Sequence, residues 1–226
     1  METESTADKS ALRDAATILL VRGQGADARV LMGQRGASAA FMPDKFVFPG
    51  GALDLGDGAI PLARPLPPAC HARLSQGHAS PNALAAAAIR ELWEETGLAL
   101  GVPGHWPDAP PDWQGFAARG LVPNASALRY IFRAITPPGR PRRFDARFFL
   151  ADAAAVHGDL DDFSQACDEL RHLQWVALRD ARRLNLPFIT EVVLAEAQAH
   201  LAGEEMAPSV PFFDNSTEVS VFRRIA

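Results

Sequence analysis

Residues 90–98 read Arg90-Glu91-Leu92-Trp93-Glu94-Glu95-Thr96-Gly97-Leu98, and they close an alanine-rich segment that begins after Ser80-Pro81. Serine followed by proline is typical of a helix start, because serine accepts hydrogen bonds from the first free amides and proline suits the first helical position. Gly97 can adopt the left-handed conformation that ends a helix. The sequence therefore predicts a helix over residues 81–96.

The three glutamates of this helix share one face. Glu91, Glu94 and Glu95 are spaced i, i+3 and i+4, which brings their side chains together. Like charges at this spacing cost a few tenths of a kcal/mol per pair. A hard divalent cation such as Mg²⁺ compensates for this repulsion, since it prefers carboxylate oxygens together with water and phosphate. The alternative is a solvated acidic face on an exposed helix.

Short apolar runs on both sides of the helix predict strands. A hairpin is expected over residues 15–21 and 29–34, and a third strand over 46–48, before Pro49-Gly50-Gly51. Further strands are expected over 128–136, 143–150 and 169–176, and a last helix over 190–201, with Thr190 as its cap. We interpret the proline-bearing stretches 58–79 and 101–123 as loops or insertions within one domain.

Composition restricts the function classes. The chain has 226 residues with 48% hydrophobic and 22% charged residues, which is typical of an ordinary globular protein. Its net charge of −5 provides no basic field for nucleic acid or an anionic membrane, so we expect neither as a partner. Cys70 and Cys167 are far apart, which indicates no disulfide framework or zinc site. With a polar, acidic start, a cytoplasmic protein is expected.

Residues 90–98 resemble the second half of the Nudix box, G-x5-E-x7-R-E-U-x-E-E-x-G-U, in which U is a bulky apolar residue. The segment Phe48-Pro49-Gly50-Gly51 resembles its beginning. Counting from Gly51, the acidic position falls on Asp57 instead of a glutamate. Residues 58–89 number 32 where the pattern has 7, so the box is interrupted by 25 residues.

The flanking segments are similar to a Nudix subgroup with an interrupted box that includes the eukaryotic peroxisomal coenzyme A diphosphatases. The matching segments are Phe41-Met42-Pro43, Ile135-Thr136-Pro137 and residues 141–149. The resemblance implies an α/β fold, an α/β/α sandwich around a central mixed sheet. It also implies one Nudix domain over residues 1–226, with a core at about 15–203, an insertion at about 58–79 and a C-terminal tail at 204–226.

The resemblance also implies the site. The metal ligands for Mg²⁺ or Mn²⁺ would be the Gly50 carbonyl, Glu91, Glu94, Glu95 and a later carboxylate. Glu169, six residues before Trp175, is the candidate for that carboxylate; Asp161, Asp162 and Asp168 are alternatives, as is a solvated acidic loop. Structural roles within the box fall on Arg90, Gly51, Gly97 and Asp57. Arg35 matches an arginine before the box that could meet a phosphate. Arg143 is a second candidate for a substrate contact, with a solvated turn as the alternative.

The activity implied is hydrolysis of the diphosphate of a nucleoside diphosphate linked to another moiety. Glu91 is the first choice as general base, with Glu94 or a loop acid as alternatives. Coenzyme A or an acyl-coenzyme A is the first substrate class, and ADP-ribose or a dinucleotide is the second. A non-catalytic Nudix domain that binds a nucleotide metabolite is a third reading, and a homodimer is compatible with all of them.

Overall fold

The helices and strands follow in the order that the sequence predicts, with additions in both insertions and at the C-terminus. The computed structural model describes residues 11–39, 41–203 and 208–226. The strands in these residues are β1 (Leu12–Arg22), β2 (Arg29–Arg35), β3 (Phe46–Val47), β4 (Gly50–Ala52), β5 (Gly101–Pro103), β6 (Leu121–Pro123), β7 (Arg129–Ile135), β8 (Arg143–Asp152), β9 (Leu170–Ala177), β10 (Val210–Asp214) and β11 (Val221–Ile225). The helices are α1 (Pro68–Leu74), α2 (Pro81–Thr96), α3 (Gln114–Ala118) and α4 (Phe188–Ala202).

Nine of these strands form one mixed sheet. Its order is β11-β10-β7-β8-β1-β2-β3, with β4 pairing to β1 and β9 pairing to β2. The pairs β1–β8 and β7–β10 are parallel, and the others are antiparallel. Strands β5 and β6 pair separately. The predicted central mixed sheet is confirmed.

The alternation of side chains in β1 separates the two layers of the core. Ile18 and Leu20 face the cluster that contains α2, while Leu19 and Val21 face the cluster that contains α4. On α2 the run of residues 85–88 is entirely alanine and fully buried, so the helix backbone lies close to the sheet. Helices on both faces of the sheet confirm the α/β/α sandwich.

The C-terminal segment differs from the expectation. Residues 208–226 were expected as a tail after the core, but β10 and β11 extend the main sheet beyond β7. Val210 and Ile225 are buried in the α2-side core, which explains why this segment is held. Residues 1–10 and 204–207 of the expected domain lie outside the described residues. Helix α4 begins after Pro187, so Thr190 is a buried position within its first turn and not its cap.

Residues 58–79 carry their own helix, α1, which contacts β7. Helix α1 buries Cys70 and Leu74 in the α2-side core. At the far end of the insertion, the Gln76 side chain donates a hydrogen bond to the Ala226 carbonyl at 2.7 Å, and Gly77 lies against Arg147. Its last residues lead into the N-terminus of α2. At a helical rise of 1.5 Å per residue, this end of α2 lies roughly 16 Å along the helix from the turn that bears Glu91. Among the described residues, no helix is long and apolar enough to cross a membrane.

Candidate active site

Two glycines bring β4 against the last turns of α2. Gly50 and Gly51 pair with Thr17 and Ala16 of β1, directly beside the helix. A Cβ on Gly51 would lie 2.3 Å from Glu91 Oε1, and a Cβ on Gly50 would lie 2.7 Å from the Ala16 carbonyl oxygen and Thr17 Oγ1. A side chain at Gly50 would clash with the backbone of β1, and one at Gly51 would displace the Glu91 carboxylate. The Pro-Gly-Gly segment therefore places backbone in contact with the glutamate face.

Arg90 joins helix α2 to β4 and to the segment that follows it. Its Nε and Nη2 donate to Asp57 Oδ1 and Oδ2 at 3.0 and 3.1 Å, and Nη2 also donates to the Ala52 carbonyl at 3.0 Å. Its Nη1 donates to Glu91 Oε1 at 3.0 Å and to Glu94 Oε2 at 3.1 Å. Burial alone would lower the pKa of Arg90, but its bonds to Asp57 and the surrounding acids raise it overall. The guanidinium therefore stays charged and fixes both carboxylates.

Burial raises the pKa of all three glutamates. For Glu91 burial dominates and the pKa rises to about 7, despite the opposing charge of Arg90. Glu95 is only 2% exposed, and burial raises its pKa well above the ordinary value although Oε2 accepts a hydrogen bond from the Gly50 amide at 2.8 Å. Burial also raises the pKa of Glu94. A cation bound at the cluster would oppose this effect and favour the ionised carboxylates.

The carboxylates have the right chemistry for a hydrated cation. Each of the three uses one oxygen in a hydrogen bond to Arg90 or Gly50, which leaves Glu91 Oε2, Glu94 Oε1 and Glu95 Oε1 without a bond to another described residue. In the described ranges, no group of three or more His, Cys, Asp or Glu side chains is arranged to hold a metal ion by itself, so water and substrate oxygens would have to complete the coordination. Mg²⁺ usually keeps several waters and binds through one or two carboxylates and substrate phosphates. The donor set fits such a cation.

A second charged pair lies beside the glutamates. Arg35 at the end of β2 pairs in register with Leu170 at the start of β9. Its Nη2 donates to Glu169 Oε1 at 3.1 Å. Burial is the main cause of the raised pKa of Glu91 and Glu95, and the negative charge of Glu169 raises both pKa values further. The structure therefore brings Glu169 and Arg35 to the glutamate cluster.

The other loop acids have different contacts. Asp161 pairs with Arg22 at 2.8 Å, and Asp162 accepts a hydrogen bond from the Ser164 amide. Asp168 is exposed. Of the four acids considered from the sequence, only Glu169 has a charge that acts on Glu91 and Glu95.

Arg143 is not part of this cluster. Its Nε donates to the Thr136 carbonyl, and its Nη2 donates to the Asn215 and Ser216 carbonyls. These three acceptors belong to the segments that follow β7 and β10. The guanidinium thus ties two chain segments together at the end of the sheet, and we do not retain Arg143 as a substrate residue.

Two contacts at the site and one irregularity in a neighbouring strand were not anticipated. Asp54 lies 3.4 Å from Arg90 Nη2, and the Cys167 amide donates to the Glu94 carbonyl at 2.8 Å. Strand β9 also contains a bulge, with His172 at φ 51°, opposite Gly33. A glycine within a strand is the signal that could have indicated the bulge. At the end of α2, Gly97 has φ 74°, as its position after the helix predicts.

Known proteins share the fold and part of the sequence of this chain. A Caenorhabditis elegans protein named as nudix hydrolase 7 is 32% identical over 155 residues, which cover 62% of this chain and 44% of that protein. This chain thus spans less than half the length of that relative. The crystal structure of a NUDIX hydrolase from Alicyclobacillus acidocaldarius has a TM-score of 0.66 at 28% identity and covers 88% of this chain and 99% of its own. The NUDIX domain of Shewanella oneidensis NrtR, solved with ADP ribose, shares the fold with a TM-score of 0.51 at 14% identity, covering 88% of this chain and 94% of its own.

The family described as NUDIX domain matches residues 11–196, a range that contains β1, α2 and the whole of β9. Asp57 and Arg90, which are joined by hydrogen bonds, both lie within the match. This chain therefore belongs to the NUDIX domain family.

Proposed function

We propose that this chain is a metal-dependent hydrolase that cleaves the diphosphate of a nucleoside diphosphate linked to another moiety. The observation that carries the proposal is the convergence of Glu91, Glu94 and Glu95 at one end of α2, where Arg90 fixes the first two. Buried like charges are unfavourable unless a cation compensates for them. A divalent cation bound at these three glutamates would compensate for their mutual repulsion.

Mg²⁺ or Mn²⁺ would be held by Glu91, Glu94, Glu95 and the Gly50 carbonyl, with Glu169 as a further ligand. Such a cation, when bound, polarises a phosphoryl oxygen and makes a water more acidic. Gly51 supports this arrangement because its missing side chain leaves room for Glu91.

The protein side chains supply the proton transfer and the binding. We assign Glu91 as the general base, because Arg90 holds one of its carboxylate oxygens and leaves Oε2 to accept a proton from water. Glu94 or Glu169 takes this role if metal occupies Glu91. Arg35 is the cation that we assign to the diphosphate, since its guanidinium lies beside the cluster and pairs with Glu169.

Coenzyme A or an acyl-coenzyme A is our first substrate class. The support comes from the segments that flank the box, Phe41-Met42-Pro43 and residues 141–149, and from the interruption between the halves of the box. ADP-ribose and dinucleotides contain the same diphosphate and are the competing substrates.

The shorter acid in the box is compatible with an enzyme. Asp57 replaces the glutamate of the family pattern, a change that would point to a non-catalytic domain if it broke the box. Here Asp57 is 2% exposed and receives two hydrogen bonds from Arg90. The bidentate contact is thus complete with the shorter side chain, which favours catalysis over mere binding.

Product chromatography after incubation with coenzyme A, acetyl-coenzyme A, ADP-ribose and a diadenosine polyphosphate, each with Mg²⁺ or Mn²⁺, tests the proposal. Formation of 3′,5′-ADP from either coenzyme A species identifies the first substrate class, and AMP from ADP-ribose identifies the second. Glu94→Gln should lose nearly all activity, about a hundredfold or more, since one ligand and one charge are removed. Near-wild-type turnover in this variant would remove the assignment. Binding of these compounds without hydrolysis of any would support the non-catalytic reading.

A further inference from the structure

A bulge sets the position of the segment that bears Glu169. Met32 pairs with Gln174 and Gln34 with Arg171, so Gly33 alone lies opposite His172 and Leu173. A Cβ on Gly33 would lie 2.8 Å from the Leu170 Cβ and 3.0 Å from Leu173 Cδ2. Two residues opposite one bend a strand and redirect its side chains. The bulge therefore requires Gly33, and it determines how the start of β9 meets Arg35.

The Arg35 guanidinium is held in place but is not saturated. Its side chain is 15% exposed, and its Nη2 donates to Glu169. Its Nε is buried and has no hydrogen-bond partner in the described ranges. A guanidinium has five N–H donors in a planar fork that matches a carboxylate or a phosphate. Arg35 thus has unused capacity for an anion at the edge of the glutamate cluster.

The partner of Arg35 is in a position to be displaced. The Glu169 side chain is 52% exposed, so water competes with the ion pair and makes it weak. A diphosphate carries more negative charge than one carboxylate and can engage the fork with two oxygens. A diphosphate that enters the site is therefore the stronger ligand for this guanidinium.

We propose that Arg35 is a positioning residue that exchanges its partner when substrate binds. In the free protein its guanidinium holds Glu169 beside Glu91 and Glu95, and in the complex it binds the diphosphate instead. This inference rests on the proposed function, because it takes the diphosphate as the incoming anion. Displaced from Arg35, Glu169 loses its cationic partner while its backbone stays next to the cluster. Its carboxylate is then available to the metal or to the attacking water.

Binding without metal tests the exchange, since it needs no turnover. The full-length protein is titrated calorimetrically with α,β-methylene-ADP in EDTA, as wild type, Arg35→Ala, Glu169→Gln and the double variant. Glu169→Gln should tighten binding about two- to fivefold, the range that an exposed ion pair is worth. Arg35→Ala should weaken binding about tenfold or more, and Glu169→Gln should then have no effect in the Arg35→Ala background.

Asp168→Asn is the matched control, because it removes the same charge from the neighbouring exposed residue. Two results would show general charge repulsion and overturn the exchange. In the first, Asp168→Asn increases the affinity for α,β-methylene-ADP as much as Glu169→Gln does. In the second, Glu169→Gln still increases this affinity in the Arg35→Ala background. Circular dichroism checks the fold of each variant, and Arg35→Gln replaces Arg35→Ala if the latter does not fold.

Steady-state kinetics give a separate readout. Arg35→Ala should mainly raise KM, whereas Glu169→Gln should lower kcat without raising KM. The reverse pattern, or equal effects of both variants on KM, would contradict the assignment. If the effects of the Arg35 and Glu169 substitutions on binding are coupled but no substrate is hydrolysed, the proposed function is rejected and the exchange is kept. If a substrate is hydrolysed but the two effects are independent, the exchange is rejected and the proposed function is kept.

Discussion

Removal of metal should make the stability of the protein depend on pH through Glu91. Burial raises the pKa of this carboxyl from 4.5 to about 7 in the folded state. The folded protein then binds a proton at Glu91 more tightly than the unfolded chain, so the free energy of unfolding falls as pH rises from about 4.5 to about 7. At about 1.4 kcal/mol per pH unit, this rise in pKa corresponds to a loss of about 3 kcal/mol above pH 7.

Urea unfolding of wild type and Glu91→Gln in EDTA, between pH 5 and pH 8, measures this contribution. Glutamine keeps an oxygen for Arg90 Nη1 but cannot ionise, so the variant should be more stable than wild type by up to about 3 kcal/mol at pH 8. The difference should shrink towards pH 5. Excess Mg²⁺ at pH 8 should stabilise wild type much more than the variant, because the cation compensates for the ionised carboxylate.

Glu218→Gln is a control for simple loss of a negative charge, since Glu218 is exposed between β10 and β11. It should show no such trend relative to wild type. A difference between wild type and Glu91→Gln that stays constant across the range, or that grows towards pH 5, would refute the reasoning.

Three further substitutions distinguish residues that act in hydrolysis from residues that stabilise the fold. Gly51→Ala places a Cβ within 2.3 Å of Glu91 Oε1, so we expect about a hundredfold loss of hydrolysis with the circular dichroism spectrum unchanged. Asp57→Ala leaves the buried Arg90 without its bidentate partner and should lower the free energy of unfolding by about 3–5 kcal/mol in urea, while Asp57→Glu should lose much less. Arg143→Ala should lower the melting temperature but leave KM unchanged, because its side chain bonds to three backbone carbonyls; a raised KM would return it to the site.

Local signals predicted helix α2 and its acidic face. Ser80 and Gly97 mark the ends of α2, and the spacing of the glutamates places them together whatever the rest of the chain does. The contact of Arg90 with Asp57 was recognisable only through the resemblance, because the two residues are far apart in sequence. The resemblance also selected Glu169 among several nearby acids.

Contacts between distant segments limited the remaining predictions. Strand β10 is five residues long, and it is held by its pairing with β7, which lies far earlier in the chain. Nothing in its local pattern distinguishes a paired strand from an extended tail. Arg143 likewise stands in a basic turn, where a substrate contact was plausible. Its actual acceptors include carbonyls 72 and 73 residues away, which the local sequence does not indicate.

Arg90 and Asp57 meet in the folded protein although they are far apart in sequence. The contact of Arg90 with Asp57 closes a loop of 33 residues, about four times the separation in the regular pattern, and two doublings of loop length cost only about 1.2 kcal/mol. Burial of Leu66, Cys70 and Leu74 from the insertion offsets that cost, at about 1.5–3 kcal/mol for each large apolar side chain. A search that requires the regular spacing therefore passes over chains of this architecture, whereas a search for two half-motifs joined by an arginine and an acid retrieves them.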